Sequence, residues 1–346
     1  MQTLEFTAIR AFYVSMHPHN AVRQRVLVLG ASGFIGKRVV SALARSDWAV
    51  PVAAGFRTLP VTVEAAVAMR LDARDVAALQ RALSGIGHVV NCVAGDGATI
   101  VASAQALFTA CAASSTAPRV VNLSSMMVYG SAAGTVEEGA PLRGDYDAYS
   151  AAKTEVERLS RDYASVVNLR PGIVYGPESP LWTGRVGGWL LEHRLGDLGG
   201  AAMGCCNLVH VDDVAEAVLR ALRLPGIEGE AFNLSLPTPP SWNEYLRQFA
   251  VALGTGFVPI SRSRLQAELY LRAPALKVAE ILAGIRHTKY RGPFPLRPWL
   301  LRLCRHSLRL DVTKAERVLG MRWLALDEGL RQSAQWLLAG GEMPTP

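Results

Sequence analysis

The chain has 346 residues, 50% of them hydrophobic, and a formal net charge of +7. That exceeds one ordinary domain and is ample for a large core, so a main domain with a smaller partner is expected. No apolar run reaches the roughly 18 residues of a spanning helix; five cysteines without metal-ligand spacing exclude a disulfide framework or zinc site and point to a reducing cytoplasm; and so modest a charge gives no reason to expect a nucleic-acid partner.

Residues 1–24 carry Arg10, His17, His19 and Arg23 around a short apolar patch, with no signal-peptide core. They are expected to form a disordered or loosely docked extension. Arg25 to Gly30 is an apolar, β-branched run that predicts a buried parallel strand. It ends in Gly30-Ala31-Ser32-Gly33-Phe34-Ile35-Gly36, after which Lys37 to Arg45 reads as a helix. Strand, glycine turn and helix together make the context of a phosphate-binding loop. Gly30 permits the tight turn, Gly33 lets backbone approach a pyrophosphate, Gly36 lets the helix lie close on the strand, and the helix N-terminus faces the anion.

A second strand is expected at Trp48 to Ala54, and the residues after it should meet the adenosine ribose. Where an NAD enzyme commonly carries a carboxylate, this chain has Gly55-Phe56-Arg57 and none before Glu64. An arginine can fork onto a 2′-phosphate through a bond worth about 1.5–3 kcal/mol, so NADP is preferred, with NAD the alternative. Lys37 or Arg38 either adds to the positive field or is a solvated helix charge. Asp72, followed by Ala73, closes a third short strand and serves as cap of the next helix or as acceptor for the adenine amine. The fourth strand starts at His88, and the small Val93-Ala94-Gly95 at its end suits close passage over a cofactor. A helix from about Ile100 to Ala112 precedes a fifth strand, Arg119 to Leu123, that ends in Ser124-Ser125. Alternating strands and helices predict an α/β fold with a doubly wound parallel sheet, whose ligands sit at the carboxyl ends of its strands. Tyr149 and Lys153 stand at i and i+4 in an Ala-rich run to Tyr163, so both project from one helical face. A lysine beside a tyrosine favours the phenolate, drawing its pKa down from about 10 and making a proton donor usable near neutral pH.

Gly30-x-x-Gly33-x-x-Gly36, Asp72, Ser125 ahead of Val128-Tyr129-Gly130, Tyr149-x-x-x-Lys153 and Leu169-Arg170-Pro171-Gly172-Ile173-Val174-Tyr175-Gly176-Pro177 together resemble the extended short-chain dehydrogenase/reductase family, also called the NAD-dependent epimerase/dehydratase family. The likeness runs from about Val26 to the C-terminus, through Asn207 to Ala215 and Ala231 to Leu234. It implies a Rossmann domain at 25–176 and a smaller substrate-binding lobe at 177–346, interleaved with late Rossmann elements at about 205–235. It also implies Tyr149 as general acid or base, Lys153 as its pKa modifier and a ribose ligand, Ser125 on the substrate oxygen, and Pro171 to Val174, Ile173 included, near the nicotinamide amide. The choice of Ser125 rests on the family's serine lying four residues before the tyrosine of Val-Tyr-Gly; the residues alone leave Ser124 as good.

Trp182 to Arg194 predicts an amphipathic helix and 196–204 a loop. His210 should order the turn before a helix capped by Asp212 or Asp213, and Cys205-Cys206 reads as two small buried hydrophobes. Arg262 to Arg309 mixes apolar and basic residues with four prolines; a substrate-lobe helix with one apolar face on the core is preferred to peripheral contact with an anionic membrane. Helices are expected at 311–320 and 326–338.

The reaction expected is hydride transfer between nicotinamide and a carbonyl or secondary alcohol of a small, fairly apolar molecule, with Tyr149 protonating the alkoxide and Ser125 holding that oxygen. Met126-Met127 stands where the family's dehydratases carry Asp-Glu, which disfavours elimination. Leu169 to Gly172 with 207–214 looks most like the steroid and flavonoid reductase branch. The alternatives are a nucleotide-sugar 4-epimerase retaining NAD and a non-catalytic NAD(P)-binding scaffold. Helices near 100–112 and 149–163 pair across a two-fold axis in many relatives, which implies a homodimer.

Overall fold

A computed structural model describes residues 23–55, 65–285 and 293–341; the extension at 1–22 and Arg57 lie outside the described residues. In order the elements are β1 (Gln24–Leu29), α1 (Phe34–Arg45), β2 (Ala49–Gly55), β3 (Val67–Arg70), α2 (Val76–Ala82), β4 (His88–Asn91), α3 (Gly97–Ala112), β5 (Arg119–Leu123), β6 (Gly134–Val136), α4 (Ala148–Ser160), β7 (Val166–Pro171) and β8 (Ile173–Tyr175). Next along the chain come α5 (Val186–Leu191), β9 (Leu208–His210), α6 (Val211–Arg223), β10 (Ala231–Leu234), α7 (Trp242–Ala252), α8 (Arg262–Ala267), α9 (Ala273–Ile285), α10 (Pro298–Cys304), β11 (Leu308–Leu310), α11 (Thr313–Val318) and α12 (Leu326–Leu338).

Runs such as Val26-Leu27-Val28-Leu29 and Val120-Val121 are buried on both sides, as a parallel sheet covered by two helix layers requires. Seven strands pair in the order β3-β2-β1-β4-β5-β7-β10, every pair parallel. The order reverses beside β1, between the β2 and β4 sides, and such a switch point leaves a crevice at the strands' carboxyl ends. One face packs on α1 and α6, through residues such as Val39, Leu43, Val214 and Val218. The other packs on α2, α3 and α4, through Leu79, Ile100, Leu107 and Val156.

Three asparagines cross the middle of the sheet. Asn91, Asn122 and Asn168 stand opposite one another in register on β4, β5 and β7. Asn91 Nδ2 donates to Asn122 Oδ1 at 3.0 Å and Asn122 Nδ2 to Asn168 Oδ1 at 2.8 Å. The last amide reaches Ser160 Oγ at 3.1 Å, tying the ladder to the end of α4.

A third core fills the C-terminal lobe around Trp189, Trp242, Tyr245, Phe249 and Leu300. Two small parallel sheets join this lobe to the rest, β8 with β9 and β6 with β11. The helix expected over 182–194 is a wide helical turn, Pro180–Arg185, followed by α5. Two caps differ from expectation. The cap of α2 is Asp75, which accepts from the Ala78 amide at 3.0 Å, because Asp72 is held by its own neighbour Arg74. The cap of α6 is His210, whose Nδ1 accepts from the Asp212 amide at 3.3 Å; Asp212 instead pairs with Arg38 at 3.1 Å, and Asp213 accepts from the Leu324 amide at 3.1 Å.

The basic stretch also departs from expectation. α10 does bury Leu300, Leu303 and Cys304 against the lobe core. α9 does not: Val278, Ile281, Leu282 and Ile285 are all exposed.

Candidate active site

The glycine turn joins β1 to α1 at the switch point. Gly30 has φ +74°, and a Cβ there would lie 2.7 Å from the Cys92 carbonyl oxygen; one on Gly36 would lie 2.2 Å from the Gly30 oxygen. Those two glycines are demanded by the fold itself. Gly33 is different, since its Cβ would meet only the Gly30 oxygen at 3.2 Å. Its bareness keeps backbone open to whatever approaches from outside. Gly33 begins α1 with no side-chain cap and no acid in the first turn, so the first amides of a twelve-residue helix face the turn open to a bound anion. The turn, with Ser32, Phe34 and Ile35, therefore fits a dinucleotide pyrophosphate.

Beside the turn lies a cleft of about 320 Å³, lined by Phe34 and Ile35 of α1, Cys92, Val93 and Ala94 after β4, Ser124 and Ser125 after β5, Tyr149 and Lys153 of α4, and Pro171, Gly172 and Val174. Its outer wall is Ser179, Pro180, Leu181 and Trp182. Three residues distant in sequence, Ser125, Tyr149 and Lys153, thus meet in one cleft. α4 presents the last two because Asp147 caps it, accepting from the Ser150 amide at 2.8 Å, and because Ser150 Oγ donates to the Met127 carbonyl at 2.6 Å. Asp72 and Ala73 lie away from this cleft, and Asp72 carries a bidentate bond from Arg74 that holds its pKa below the usual value. Ile173 turns the other way, into the lobe core, leaving its neighbours Gly172 and Val174 on the cleft.

The two serines are occupied differently. Ser124 lines the cleft, but its Oγ donates to Glu157 Oε1 at 2.5 Å. Ser125 Oγ accepts a 3.2 Å bond from the Met127 amide and turns its hydroxyl into the cleft, towards the Tyr149 phenol. Glu157, four residues beyond Lys153 on the same helical face, is 3% exposed and takes both nitrogens of Arg170, at 2.9 and 2.6 Å. Arg170 also donates to the Tyr129 hydroxyl and the Glu138 carbonyl, both at 2.8 Å, and Tyr129 donates to Asn233 Oδ1 at 2.7 Å. Neither the outer wall nor Glu157 stood out in the sequence, although Tyr149, Lys153 and Glu157 at i, i+4 and i+8 form a legible stripe.

Burial raises the Tyr149 phenol above its ordinary value of 10.0, the Ser125 hydroxyl opposes that rise, and the Asp147 charge adds to it. The ring itself is 39% exposed, so it is the hydroxyl end, beside Ser125, that is withdrawn from water. The expected depression by Lys153 is absent here for a geometric reason. The Lys153 ammonium donates to the Leu123 carbonyl at 2.7 Å and sits over the ring, 5.9 Å from its centre, rather than at the hydroxyl. Burial brings Lys153 itself down to about 8, against the pull of Cys92 and Glu157.

The profile of the NAD dependent epimerase/dehydratase family matches residues 26–235, more than half of the chain. A 2'-dehydrokanamycin reductase of Streptomyces kanamyceticus is 29% identical over 252 residues, 68% of this chain and 69% of that protein. Among solved structures, the UDP-glucose 4-epimerase of Thermotoga maritima with UDP-glucose superposes with a TM-score of 0.69 at 18% identity, over 92% of this chain and 100% of the other. The UDP-glucuronic acid 4-epimerase of Bacillus cereus with NAD gives 0.64 at 20% identity, over 92% and 100%. At such identities the structural likeness is one of fold. The family match, running unbroken through the glycine turn, the serine-bearing strand end and the Tyr149 helix, makes this chain a member of the NAD dependent epimerase/dehydratase family, an enzyme of the extended short-chain dehydrogenase/reductase type.

Proposed function

We propose that the protein is an NADP-dependent oxidoreductase moving a hydride between nicotinamide and a carbonyl or secondary alcohol of a small, fairly apolar molecule. The observation that carries this reading is the convergence of Ser125, Tyr149 and Lys153 on one cleft whose outer wall is Pro180, Leu181 and Trp182. Gly30, Ser32, Gly33, Phe34, Ile35 and Gly36 would hold the cofactor at the turn, Val93, Ala94 and Pro171 along the cleft, and Asp72 and Ala73 towards adenine. Ile173 is left with a backbone role, and Arg57 with the 2′-phosphate that decides NADP over NAD. When bound, the cofactor supplies or accepts the hydride.

The chain's own residues handle the proton and the oxygen. Ser125 Oγ donates a hydrogen bond to the substrate oxygen and Tyr149 gives its proton as charge develops there, while the Lys153 ammonium, anchored on the Leu123 carbonyl, is left with the nicotinamide ribose. The reductase name of the Streptomyces relative supports the direction of reduction. Retained NAD and a nucleotide sugar inverted at C4 would replace this reading by the epimerase one, which the fold neighbours accommodate equally well. We further propose a homodimer formed through α3 and α4 and a cytoplasmic location.

The test is Tyr149→Phe, assayed for NADPH and NADH oxidation against a panel of ketones and aldehydes. Turnover should fall about 10²- to 10⁴-fold, with NADPH affinity unchanged and NADPH preferred to NADH by the parent enzyme. Undiminished turnover would remove the proton donor.

A further inference from the structure

Residues 262–309 contain eleven Lys and Arg and two Glu, so the rest of the chain holds 25 Lys and Arg against 27 Asp and Glu. The whole positive balance of the protein therefore resides in this one segment. Its start is pinned to the lobe: Arg194 Nε donates to Glu268 Oε1 at 2.8 Å in a buried ion pair, and Leu269 and Ala273 pack inward. Beyond that anchor the chain turns its apolar side chains to water. Tyr270, Leu271, Val278, Ile281, Leu282 and Ile285 are six of the twelve exposed large apolar side chains among the described residues, with Leu271 at 73% and Ile285 at 69%. Val278, Ile281, Leu282 and Ile285 fall at i, i+3, i+4 and i+7 on α9 and share one helical face; Leu271 is exposed in the wide helical turn Glu268–Arg272 just before it. Arg262, Arg264 and Arg272 are exposed on the same stretch, Arg272 lying 3.6 Å from the Glu268 carboxylate.

We propose that residues 262–285 dock the protein on the surface of an anionic lipid bilayer, the Val278–Ile285 stripe and Leu271 entering the headgroup region and the exposed Arg262, Arg264 and Arg272 meeting acidic headgroups. A solvent-facing apolar stripe bordered by cations is the surface such a bilayer complements. Among the described residues no helix is long and apolar enough to cross a membrane. A second copy of the chain is the poorer occupant. A two-fold interface sets the same patch against itself, which would bring together two segments of eleven Lys and Arg and two Glu each, a net like-charge contact.

The full chain is floated with vesicles of phosphatidylcholine alone and with about 30% phosphatidylglycerol, in about 0.1 M and about 0.5 M salt, the latter cutting the screening length to roughly 4 Å. Most of the protein should rise with the anionic vesicles in low salt and little with the neutral ones or in high salt. Ile281→Asp/Ile285→Asp should lower the bound fraction at least tenfold, with melting temperature and light-scattering mass unchanged, and Leu271→Asp, just upstream of α9, should act in the same direction. Failure to float on anionic vesicles, equal flotation on neutral ones, or unaltered flotation of both variants overturns the proposal. So does a fall in oligomeric mass on Ile281→Asp/Ile285→Asp, which would make the stripe a contact between copies.

Discussion

Ser124 and Ser125 sit one peptide apart, both buried, and the difference between them is what each touches. Ser124 is committed to the Glu157 carboxylate, while Ser125 turns its hydroxyl into the cleft, towards the Tyr149 phenol. Ser124→Ala should therefore cost about 1.5–3 kcal/mol of stability, the worth of a bond to a charged group, and leave kcat/KM nearly intact. Ser125→Ala should lower kcat/KM about 10²- to 10³-fold with little change in melting temperature. Thermal melts and kinetics on both variants check this, and an exchange of the two phenotypes would reassign the roles. The residue types were legible in the sequence, and so was the i, i+4 relation of Tyr149 and Lys153. The direction of the Tyr149 shift was not, because it depends on how far the hydroxyl is withdrawn from water and where the Lys153 ammonium is anchored. Capping was illegible for a similar reason. Asp72 and Asp75 are equal on paper until Arg74 takes one of them.

At the scale of elements, strands and helices of the sheet announced themselves. Arg119 to Leu123 is bounded as expected, since an apolar β-branched run between a proline and two serines has few other readings. α12 likewise matches. α9 shows the limit. Helical periodicity reveals that an apolar face exists, but what that face meets is decided by residues far away in sequence, here the Arg194–Glu268 anchor that leaves it outward. The opposite situation holds for α3 and α4. They pack closely enough that a Cβ on Gly97 would sit 3.4 Å from both the Ala148 oxygen and the Ala152 Cβ. On the outer side of α3, Ala98, Ala102, Gln105, Thr109 and Ala112 are exposed at intervals that place them on one face. A homodimer through this pair of helices predicts twice the chain mass in light scattering at micromolar concentration. Ala102→Arg should return the mass to that of one chain without lowering the melting temperature of the monomer. A parent protein that is already monomeric would dismiss it.

Across the whole molecule, the C-terminal strap closes over α6 through Asp213, which accepts from the Leu324 amide. Burial raises that carboxyl to about 6 from 3.8, opposed by the Leu324 hydrogen bond and helped by the neighbouring charge of Asp212. A carboxyl whose folded pKa lies above its unfolded one binds more protons when folded. Stability is therefore highest below the unfolded value and declines as pH climbs through about 4 to 6, by at most about 3 kcal/mol. Asp213→Asn keeps an acceptor for Leu324 and removes the charge. Its melting temperature should exceed that of the parent by several degrees at pH 8 and match it near pH 4, which calorimetry across that range would read. A variant weaker at pH 8 would mean that the carboxylate is favoured where it stands.

The Arg170 cluster bears on how such an enzyme breathes. Arg170 of β7 grips Glu157 of α4 and the Glu138 carbonyl, while Tyr129 bridges it to Asn233 of β10, whose side-chain nitrogen holds the Val136 and Asp311 carbonyls of the small-sheet region. Parting the small sheets from β10 along that seam would leave the Asn233 side chain and the Val136 and Asp311 carbonyls unpaired in a dry interior, at about 1–3 kcal/mol for each such group, while the Arg170–Glu157 pair would stay with the main sheet.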